Sequence, residues 1–321
     1  MKVSVSMITY NHEKFIAQAV ESVLMQQTNF DYELVIGEDC STDNTREILL
    51  EYQKKYPDKI RLFARECNVG MRQNGHLTRS ACTGQYMAFL EGDDYWTDPY
   101  KLQKQVDYLD AHPECAYCCH RVAVLYDGKE DDSFGAYWPK GEQAEINGFV
   151  EVLTGACEVP NCSVMIRREL QTSMPDWFIK MPIGDYPMFC LCAQYGTVYY
   201  SSEVMAVYRR HPQGLTSSWD WSKPVLNRRL VCKHLLQTVD RCYHPAIREL
   251  IGEQAYILSI GHEQRGEIAK ARRYALERIL YGHHKKPLEH PVRQYIRLWV
   301  PGLHRLAKGL KVRLQRRVGD V

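Results

Sequence analysis

The sequence lacks several features that define common classes of protein. Its 321 residues contain no run of about 18 apolar residues, so no segment can span a membrane as a helix. Residues 1–8 have no long apolar core of the kind found in signal peptides, and we interpret them as a strand. The composition, 45% hydrophobic and 25% charged, excludes disordered, collagen-like and coiled-coil chains. We therefore expect a cytoplasmic globular protein whose twelve cysteines are reduced thiols.

The cysteines also lack the paired spacing of a structural zinc site. Cys115, Cys118, Cys119 and His120 lie close together, but no second pair with matching spacing follows them. We interpret residues 115–125 as a buried strand in which cysteine acts as a small hydrophobic residue.

Two glycine-rich phosphate-binding motifs are missing as well. The first predicted strand is followed by Thr9, Tyr10, Asn11 and His12, which match neither G-x-G-x-x-G nor G-x-x-x-x-G-K-[ST]. If the protein binds phosphates, it uses groups other than the amides of a glycine loop.

The chain alternates between short apolar strands and amphipathic helices over its first half, which is typical of parallel strands covered by helices. In such sheets ligands bind at the carboxyl ends of the strands. We predict strands at 3–9, 32–37, 60–64, 86–90, 115–125, 162–166, 198–200 and 204–208. We predict helices at 12–25, 45–56, 73–81, 101–111 and 185–195, a loop at 127–160, and three further helices near 224–240, 245–263 and 266–281.

The near-neutral total charge conceals an asymmetry. The chain has 41 basic and 39 acidic residues, yet from Lys285 onwards the net charge is +8 and the rest carries −6. Within this tail one helical face at 303–318 is apolar, with Arg305, Lys308, Arg313 and Arg316 off that face. Such a basic amphipathic helix is typical of an anionic membrane surface. The alternative is a helix that docks on the acidic body.

Acidic pairs follow two of the predicted strands. Asp39 comes after the second strand, and Asp93 and Asp94 come after the fourth. Adjacent buried carboxylates without partners cost several kcal/mol, and oxygen ligands of this kind suit Mg²⁺ or Mn²⁺. The segment 91–94 taken alone is equally consistent with a solvated turn.

Taken together, these segments resemble a known family. The motifs "FIAQAVESVLMQ", "ELVIGEDCSTDNT", "GQYMAFLEGDDYW" and "PYKLQKQVDYL" occur in the order and spacing of the inverting glycosyltransferases of family 2. The resemblance covers residues 1–215 and implies the GT-A nucleotide-diphospho-sugar transferase fold, a Rossmann-like mixed α/β sheet flanked by helices, with a C-terminal helical extension. Two residues depart from the usual "VDDGSTD": Glu38, and Cys40, which stands where the family often has Gly or Asn.

The resemblance also implies roles for individual residues. Thr9, Tyr10, Asn11 and Asp39 would bind the nucleotide sugar, with Asp39 at the uracil ring. Asp93 would lie near the ribose or diphosphate, and Asp94 would bind the divalent metal.

Two later segments match family members too. "PIGDYPMF" points to Asp185 as the catalytic base, and its other interpretation is a helix N-cap. The segment "YRRH" would bring Arg209 and His211 to the diphosphate, and its other interpretation is a solvated basic turn. Tyr95 and Trp96 either line a sugar site or belong to the core.

The sequence thus predicts a metal-dependent inverting glycosyltransferase that moves a sugar, most simply from a UDP-sugar, to a glycan or lipid-linked oligosaccharide in polysaccharide biosynthesis. We predict a catalytic domain at 1–218, a helical extension at 219–284 and a basic tail at 285–321 that holds the enzyme peripherally on the inner face of the cell membrane. No nucleic-acid partner is expected. The alternatives are a sugar-phosphate nucleotidyltransferase, which would need a glycine-rich first loop, and a non-catalytic subunit that binds sugar nucleotides.

Overall fold

The structure, a computed structural model, describes residues 1–126, 136–172, 174–212, 214, 219–281 and 298–299. The chain divides into two compact units, Met1–Ser218 and Trp219–Val321.

Four parallel strands form one half of the sheet in the first unit. They are β1 (Val3–Thr9), β2 (Tyr32–Glu38), β3 (Ile60–Ala64) and β4 (Tyr86–Glu91), in the order β3-β2-β1-β4. β1 and β2 are almost fully buried because helices cover both faces of the sheet, and their polar residues Ser4 and Glu33 hydrogen-bond to each other at 2.6 Å.

The other half of the sheet contains a reversal. A short strand, β9 (Met165–Arg167), pairs antiparallel with both β4 and β6 (Cys115–Tyr126), and β6 pairs parallel with β10 (Thr197–Arg210). The two antiparallel steps cancel, so β10 runs in the same direction as β4. Their carboxyl ends therefore reach the same edge of the sheet. Three two-residue strands add to the sheet: β5 (Tyr95–Trp96), β7 (Tyr137–Trp138) and β8 (Ile146–Asn147).

Seven described helices connect these strands. They are α1 (Ile16–Leu24), α2 (Thr45–Lys55), α3 (Met71–Ser80), α4 (Lys101–Ala111), α5 (Phe149–Thr154), α6 (Arg168–Thr172) and α7 (Asp185–Ala193). In α1 the buried residues Ile16, Ala19, Val20 and Val23 recur at helical spacing and pack into the main core.

Several predicted boundaries were wrong. Part of the predicted 127–160 loop forms β7, β8 and α5, while residues 127–135 lie outside the described part. The strands predicted at 198–200 and 204–208 are one strand, β10, whose pairing register shifts between Ser201 and Val204. The exposed Ser202 and Glu203 at this irregularity break the apolar pattern, which made one strand look like two.

The second unit contains α8 (Lys223–Thr238), α9 (His244–Gln264) and α10 (Ile268–Tyr281), close to the three helices predicted there. The chain reverses between α9 and α10 at Gly266, whose φ is 73°. A buried Arg229 pairs with Glu277 at 2.6 Å and ties α8 to α10. Among the described residues no helix has the length and apolarity required to traverse a bilayer. The predicted amphipathic helix at 303–318 lies outside the described residues.

Candidate active site

The predicted site residues gather where the strands end. Thr9 ends β1, Asp39 follows β2, Asp93 follows β4, and Arg209 and His211 lie at the end of β10. Because these strands are parallel, their carboxyl ends share one edge of the sheet. Hydrogen bonds then join residues that are more than one hundred positions apart in the sequence.

Two turns at this edge adopt left-handed backbone conformations. Asn11 has φ 56° and Cys40 has φ 58°, and both follow strands that end at the site. The turns are joined, since the Thr42 N–H donates to Asn11 Oδ1 at 2.8 Å and the Asn11 N–H donates to Ser41 Oγ at 3.0 Å. A left-handed conformation disfavours most side chains, and Gly or Asn would adopt it at a lower cost than Cys40 does. Tyr10 beside this turn is exposed.

Asp39 connects the second turn to the start of α3. Its carboxylate is buried and accepts the Val69 N–H at 2.8 Å on Oδ1 and the Gly70 N–H at 2.9 Å on Oδ2. Each oxygen keeps a lone pair for a further donor.

Glu38, the other departure from the family pattern, has a structural role. Its buried carboxylate accepts the Ser41 N–H at 2.6 Å and pairs with the Arg46 guanidinium at 2.5 Å. Glu38 therefore fixes the turn that carries Asp39.

Asp93 lies at the centre of a cluster with two histidines. Asp93 Oδ2 is 3.0 Å from His211 Nε2 and 3.9 Å from His12 Nε2. Burial opposes ionisation of Asp93, but the hydrogen bond from His211 and the charge of His12 outweigh it and lower its pKa. Burial also lowers the pKa of His12, which favours the neutral imidazole that a metal ion requires.

This cluster fits a divalent cation. His12, Asp93 and His211 each offer one ligand atom, and these atoms lie within 4.8 Å of one another. Among the described residues this is the one group of three or more His, Cys, Asp or Glu side chains with such spacing. Two imidazoles beside one carboxylate suit a transition-metal ion better than Mg²⁺, which prefers oxygen ligands.

Arg209 joins both aspartates to the first helix. Its backbone N–H donates to Asp94 Oδ1 at 2.8 Å, Nη1 donates to the Asp93 carbonyl at 2.7 Å, and Nη2 donates to Gln18 Oε1 at 2.6 Å. The guanidinium also lies over the rings of Phe15 and Tyr95, at 4.6 and 5.0 Å from their centroids. This arrangement is not that of a solvated basic turn.

Asp94 lies deeper than Asp93. It is 1% exposed, and burial, together with the charges of Asp93 and Glu91, raises its pKa well above the ordinary range. That Asp94 binds the metal stays a prediction, and the described geometry favours Asp93 as the carboxylate that faces an ion.

Glu91 adds a third acid to this edge. The side-chain amide of Asn161 donates to Glu91 Oε1. Burial raises the pKa of Glu91, and the charges of Asp93 and Asp185 raise it further. Asp185 is therefore close enough to the β4 acids to act on their ionisation.

Asp185 itself is exposed and is the first residue of α7. The N-cap position is occupied by Gly184, so the alternative interpretation of Asp185 as an N-cap was wrong. Its Oδ1 accepts the Tyr186 N–H at 2.7 Å, and the rest of the carboxylate is available to a ligand.

The two aromatic residues after Asp94 have different environments. Trp96 is 2% exposed and donates through Nε1 to the Cys162 carbonyl at 2.9 Å, so it belongs to the core. Tyr95 is half-buried against Arg209 at the site.

The carboxyl edge of the sheet thus combines a cluster that fits a cation with an exposed carboxylate, an arrangement typical of enzymes built on parallel α/β sheets. The family model described as glycosyl transferase family 2 matches residues 4–171. The chain belongs to this family, and the predicted family is confirmed.

Individual relatives agree with this assignment. An uncharacterised protein of Mycobacterium tuberculosis is 39% identical over 227 residues, which are 70% of this chain and 62% of that protein. The chain thus matches less than two thirds of the length of that relative. TuaG of Bacillus subtilis, named as a teichuronic acid biosynthesis glycosyltransferase, is 30% identical over 69% of this chain and 84% of its own length.

The fold has solved counterparts. The crystal structure of S. aureus TarS 1–349 in complex with UDP-GlcNAc superposes with a TM-score of 0.63 at 18% identity, covering 93% of this chain and 89% of that one. The predicted GT-A fold with C-terminal helices is therefore confirmed.

Four residues at the site were not predicted as its main components: His12, Gln18, Glu91 and Asn161. His12 had a signal, since it follows Thr9-Tyr10-Asn11 directly. Gln18 and Asn161 lie in segments that match the family, but the local sequence does not reveal their contacts, because their partners come from distant segments.

Proposed function

We propose that the protein transfers a sugar from a nucleotide-diphosphate sugar, a UDP-sugar, to a hydroxyl group of a glycan or lipid-linked oligosaccharide in polysaccharide assembly, with inversion at the anomeric carbon. The observation that carries the proposal is the cluster of Asp93 with His211 and His12, 3.0 and 3.9 Å away, at the carboxyl edge of a family 2 sheet. The crystal structure of TarS in complex with UDP-GlcNAc supports the choice of donor.

The joined turns after β1 and β2 receive the nucleoside. Thr9, Tyr10 and Asn11 line one side, and one of the lone pairs left on Asp39 accepts the single N–H of the uracil ring. The left-handed conformations hold these groups in place before the donor arrives, so less ordering is needed on binding.

The diphosphate lies between the β4 acids and the end of β10. Asp93, His12 and His211 hold the divalent cation, which neutralises charge on the departing diphosphate when it is bound. Arg209 is fixed by three hydrogen bonds and two aromatic rings, so it stabilises the same charge without reorganisation.

Asp185 is the base on the acceptor side. Its exposed carboxylate takes the proton from the acceptor hydroxyl as that oxygen attacks the anomeric carbon, while the bond to the nucleoside diphosphate breaks. A single displacement of this kind converts an α-linked donor into a β-linked product.

The test measures UDP release from a panel of UDP-sugars with Mn²⁺. Asp93→Asn is expected to lose about 10²–10³-fold in turnover, and Asp185→Asn about 10²–10⁴-fold. Only Asp185→Asn should keep the thermal stabilisation by UDP and Mn²⁺, because it leaves the nucleotide site intact. Asp176→Asn, which alters an exposed acid elsewhere in the same unit, serves as the matched control.

Two results would contradict this function. Turnover of a nucleoside triphosphate with a sugar phosphate would indicate a nucleotidyltransferase. If UDP-sugars stabilised the protein but no donor was turned over with any acceptor, the protein would be a binding subunit.

We propose further that the basic tail binds anionic lipid and keeps the enzyme at the cytoplasmic face of the membrane. Full-length protein with Arg305, Lys308, Arg313 and Arg316 changed to Gln should no longer sediment with phosphatidylglycerol vesicles, because the attraction of cations to the surface is lost. A control variant removes four exposed lysines of the body: Lys54, Lys55, Lys223 and Lys270. Equal sedimentation of the tail variant and the unmodified protein would contradict the proposal.

A further inference from the structure

Two arginines share one aromatic ring next to the proposed base. Arg72 and Arg79 lie two turns apart on α3, and their guanidinium carbons are 4.8 and 5.7 Å from the centroid of the Phe178 ring. Both side chains are half-buried, so the pair still reaches the surface.

Neither arginine forms an ion pair with an acid in the described part of the chain. Nε of Arg72, and Nε and Nη2 of Arg79, are buried and make no hydrogen bond within the described part of the chain. Burial, together with the charge of Arg72, lowers the pKa of Arg79 to about 10. A fold that buries two neighbouring cations in this way loses stability unless an anion accompanies them.

The pair adjoins the start of α7. Arg72 Nη2 donates to the Phe178 carbonyl at 2.7 Å, and Nη1 lies so close to Gly184 that a Cβ there would be 1.9 Å away. Burial lowers the pKa of Arg72, and the charge of Asp185 acts in the opposite direction. The Arg72 guanidinium therefore lies near the carboxylate that we propose as the base, and Arg79 lies behind it on the same Phe178 ring.

We propose that Arg72 and Arg79 form a subsite for a phosphate group of the acceptor, beside Asp185. The proposal rests on the proposed function, because it takes Asp185 to mark the acceptor side. Planar guanidinium groups match the oxygens of a phosphate through paired hydrogen bonds, and partial burial strengthens them. In the proposed function the donor diphosphate already has Arg209 and the cation that Asp93 and His211 would hold, so the second anion belongs to the other substrate.

The test uses full-length protein saturated with UDP and Mg²⁺, so that the donor site is filled. Binding of radiolabelled inorganic phosphate is then measured by equilibrium dialysis. Arg79→Met should weaken binding by about tenfold or more, as expected for the loss of one charge-assisted pair. Lys180→Met, which removes an exposed cation two residues from Phe178, is the matched control and should bind phosphate within about twofold of the wild type, as an exposed charge is largely screened.

A second readout separates binding from a merely structural role. Without phosphate, Arg79→Met should unfold at the same temperature as the wild type or higher, because a desolvated cation has been removed. Phosphate should raise the unfolding temperature of the wild type and leave that of Arg79→Met unchanged. A lower unfolding temperature for Arg79→Met, with unaltered phosphate binding, would make Arg79 a structural residue and overturn the subsite. Arg79→Lys keeps the charge but lacks the planar guanidinium group, so it should bind phosphate with an intermediate affinity. This variant remains informative if Arg79→Met does not fold.

Two further results overturn the subsite. One is the absence of phosphate binding to the UDP-saturated wild type. The other is binding that appears only without UDP, which would assign the arginines to the donor diphosphate. Donor turnover is measured on the same preparation: turnover without phosphate binding refutes the subsite alone, whereas the absence of turnover refutes the proposed function.

Discussion

The ammonium group of Lys101 is fully buried against the ring of Trp96, 4.1 Å from its centroid, and donates to Gln105 Oε1 at 2.7 Å. Burial lowers its pKa from 10.5 to about 7. Between these pH values the unfolded chain binds a proton that the folded chain lacks, so this group makes the free energy of unfolding rise with pH.

We therefore expect Lys101→Met to raise the free energy of unfolding at pH 7 by about 1–4 kcal/mol, because it removes a desolvated cation. The gain should shrink as the pH rises towards 10.5, where the unfolded lysine also loses its proton. Urea denaturation at a series of pH values measures this difference.

Lys104 on the same helix is the control. It is exposed and paired with Asp98 and Glu203, which raise its pKa. Lys104→Met should lower the free energy of unfolding by less than about 1 kcal/mol. If the gain in the free energy of unfolding for Lys101→Met did not change with pH, the buried charge of Lys101 would not be its cause.

Single residues also show how much of the site the sequence could predict. The motifs point to Asp39, Asp93 and Arg209, because each of these residues lies at or just after the end of a strand. The depth of Asp94 was not predictable, because Arg209, 115 positions away, supplies its hydrogen bond. Sequence spacing says which residues end a strand, but not which of two adjacent acids faces solvent.

At the scale of an element, the turn after β4 depends on a small residue. A Cβ at Gly92 would lie 2.6 Å from Thr9 Oγ1 and 3.0 Å from His12 Nδ1. Gly92→Ala should displace His12 from Asp93, weaken Mn²⁺ binding by about tenfold and cost about 1–3 kcal/mol of stability through overpacking. Calorimetric titration with Mn²⁺ and thermal unfolding check these effects.

Gly141→Ala is the matched control, since a Cβ there would meet nothing within 4 Å. It should leave both measurements unchanged. If Gly92→Ala destabilised the fold but bound Mn²⁺ with unaltered affinity, His12 would not be a ligand.

The elements themselves were predictable to different degrees. β3 and α4 were predicted to the residue, because each has a clear apolar period between polar boundaries. The helix predicted from residue 12 begins only at Ile16. The His12 N–H donates to Thr45 Oγ1 at 2.8 Å, which holds residue 12 in the turn rather than in α1. Thr45 belongs to α2, so the apolar pattern of residues 12–25 gives no sign of this contact.

At the scale of the whole molecule, all twelve cysteines are free thiols, of which Cys67 and Cys242 are exposed and Cys40 is half-buried. Thiol titration of denatured protein without reductant should find twelve groups. In native protein we expect Cys67 to react first, and Cys242 more slowly because its hydrogen bond with Asp240 raises its pKa. The nine buried thiols should react only on unfolding, since burial raises the pKa of groups such as Cys82 and Cys192 to about 12.

Substitution of Cys67 by Ser should remove the fastest phase and leave the remainder of the titration unchanged. Fewer than twelve thiols in denatured protein would contradict the reduced state.

The contact between Asp93 and His211 joins residues 118 positions apart, and Arg209 reaches Gln18 across 191. Contacts of such separation form only after the intervening chain has been ordered, because closing a long loop costs entropy before any contact compensates for it. During synthesis the first four strands emerge well before β10, so the nascent sheet has its acids at the edge but neither Arg209 nor His211 to receive a diphosphate. The proposed site is therefore incomplete until β10, the last strand of the sheet in chain order, has paired with β6.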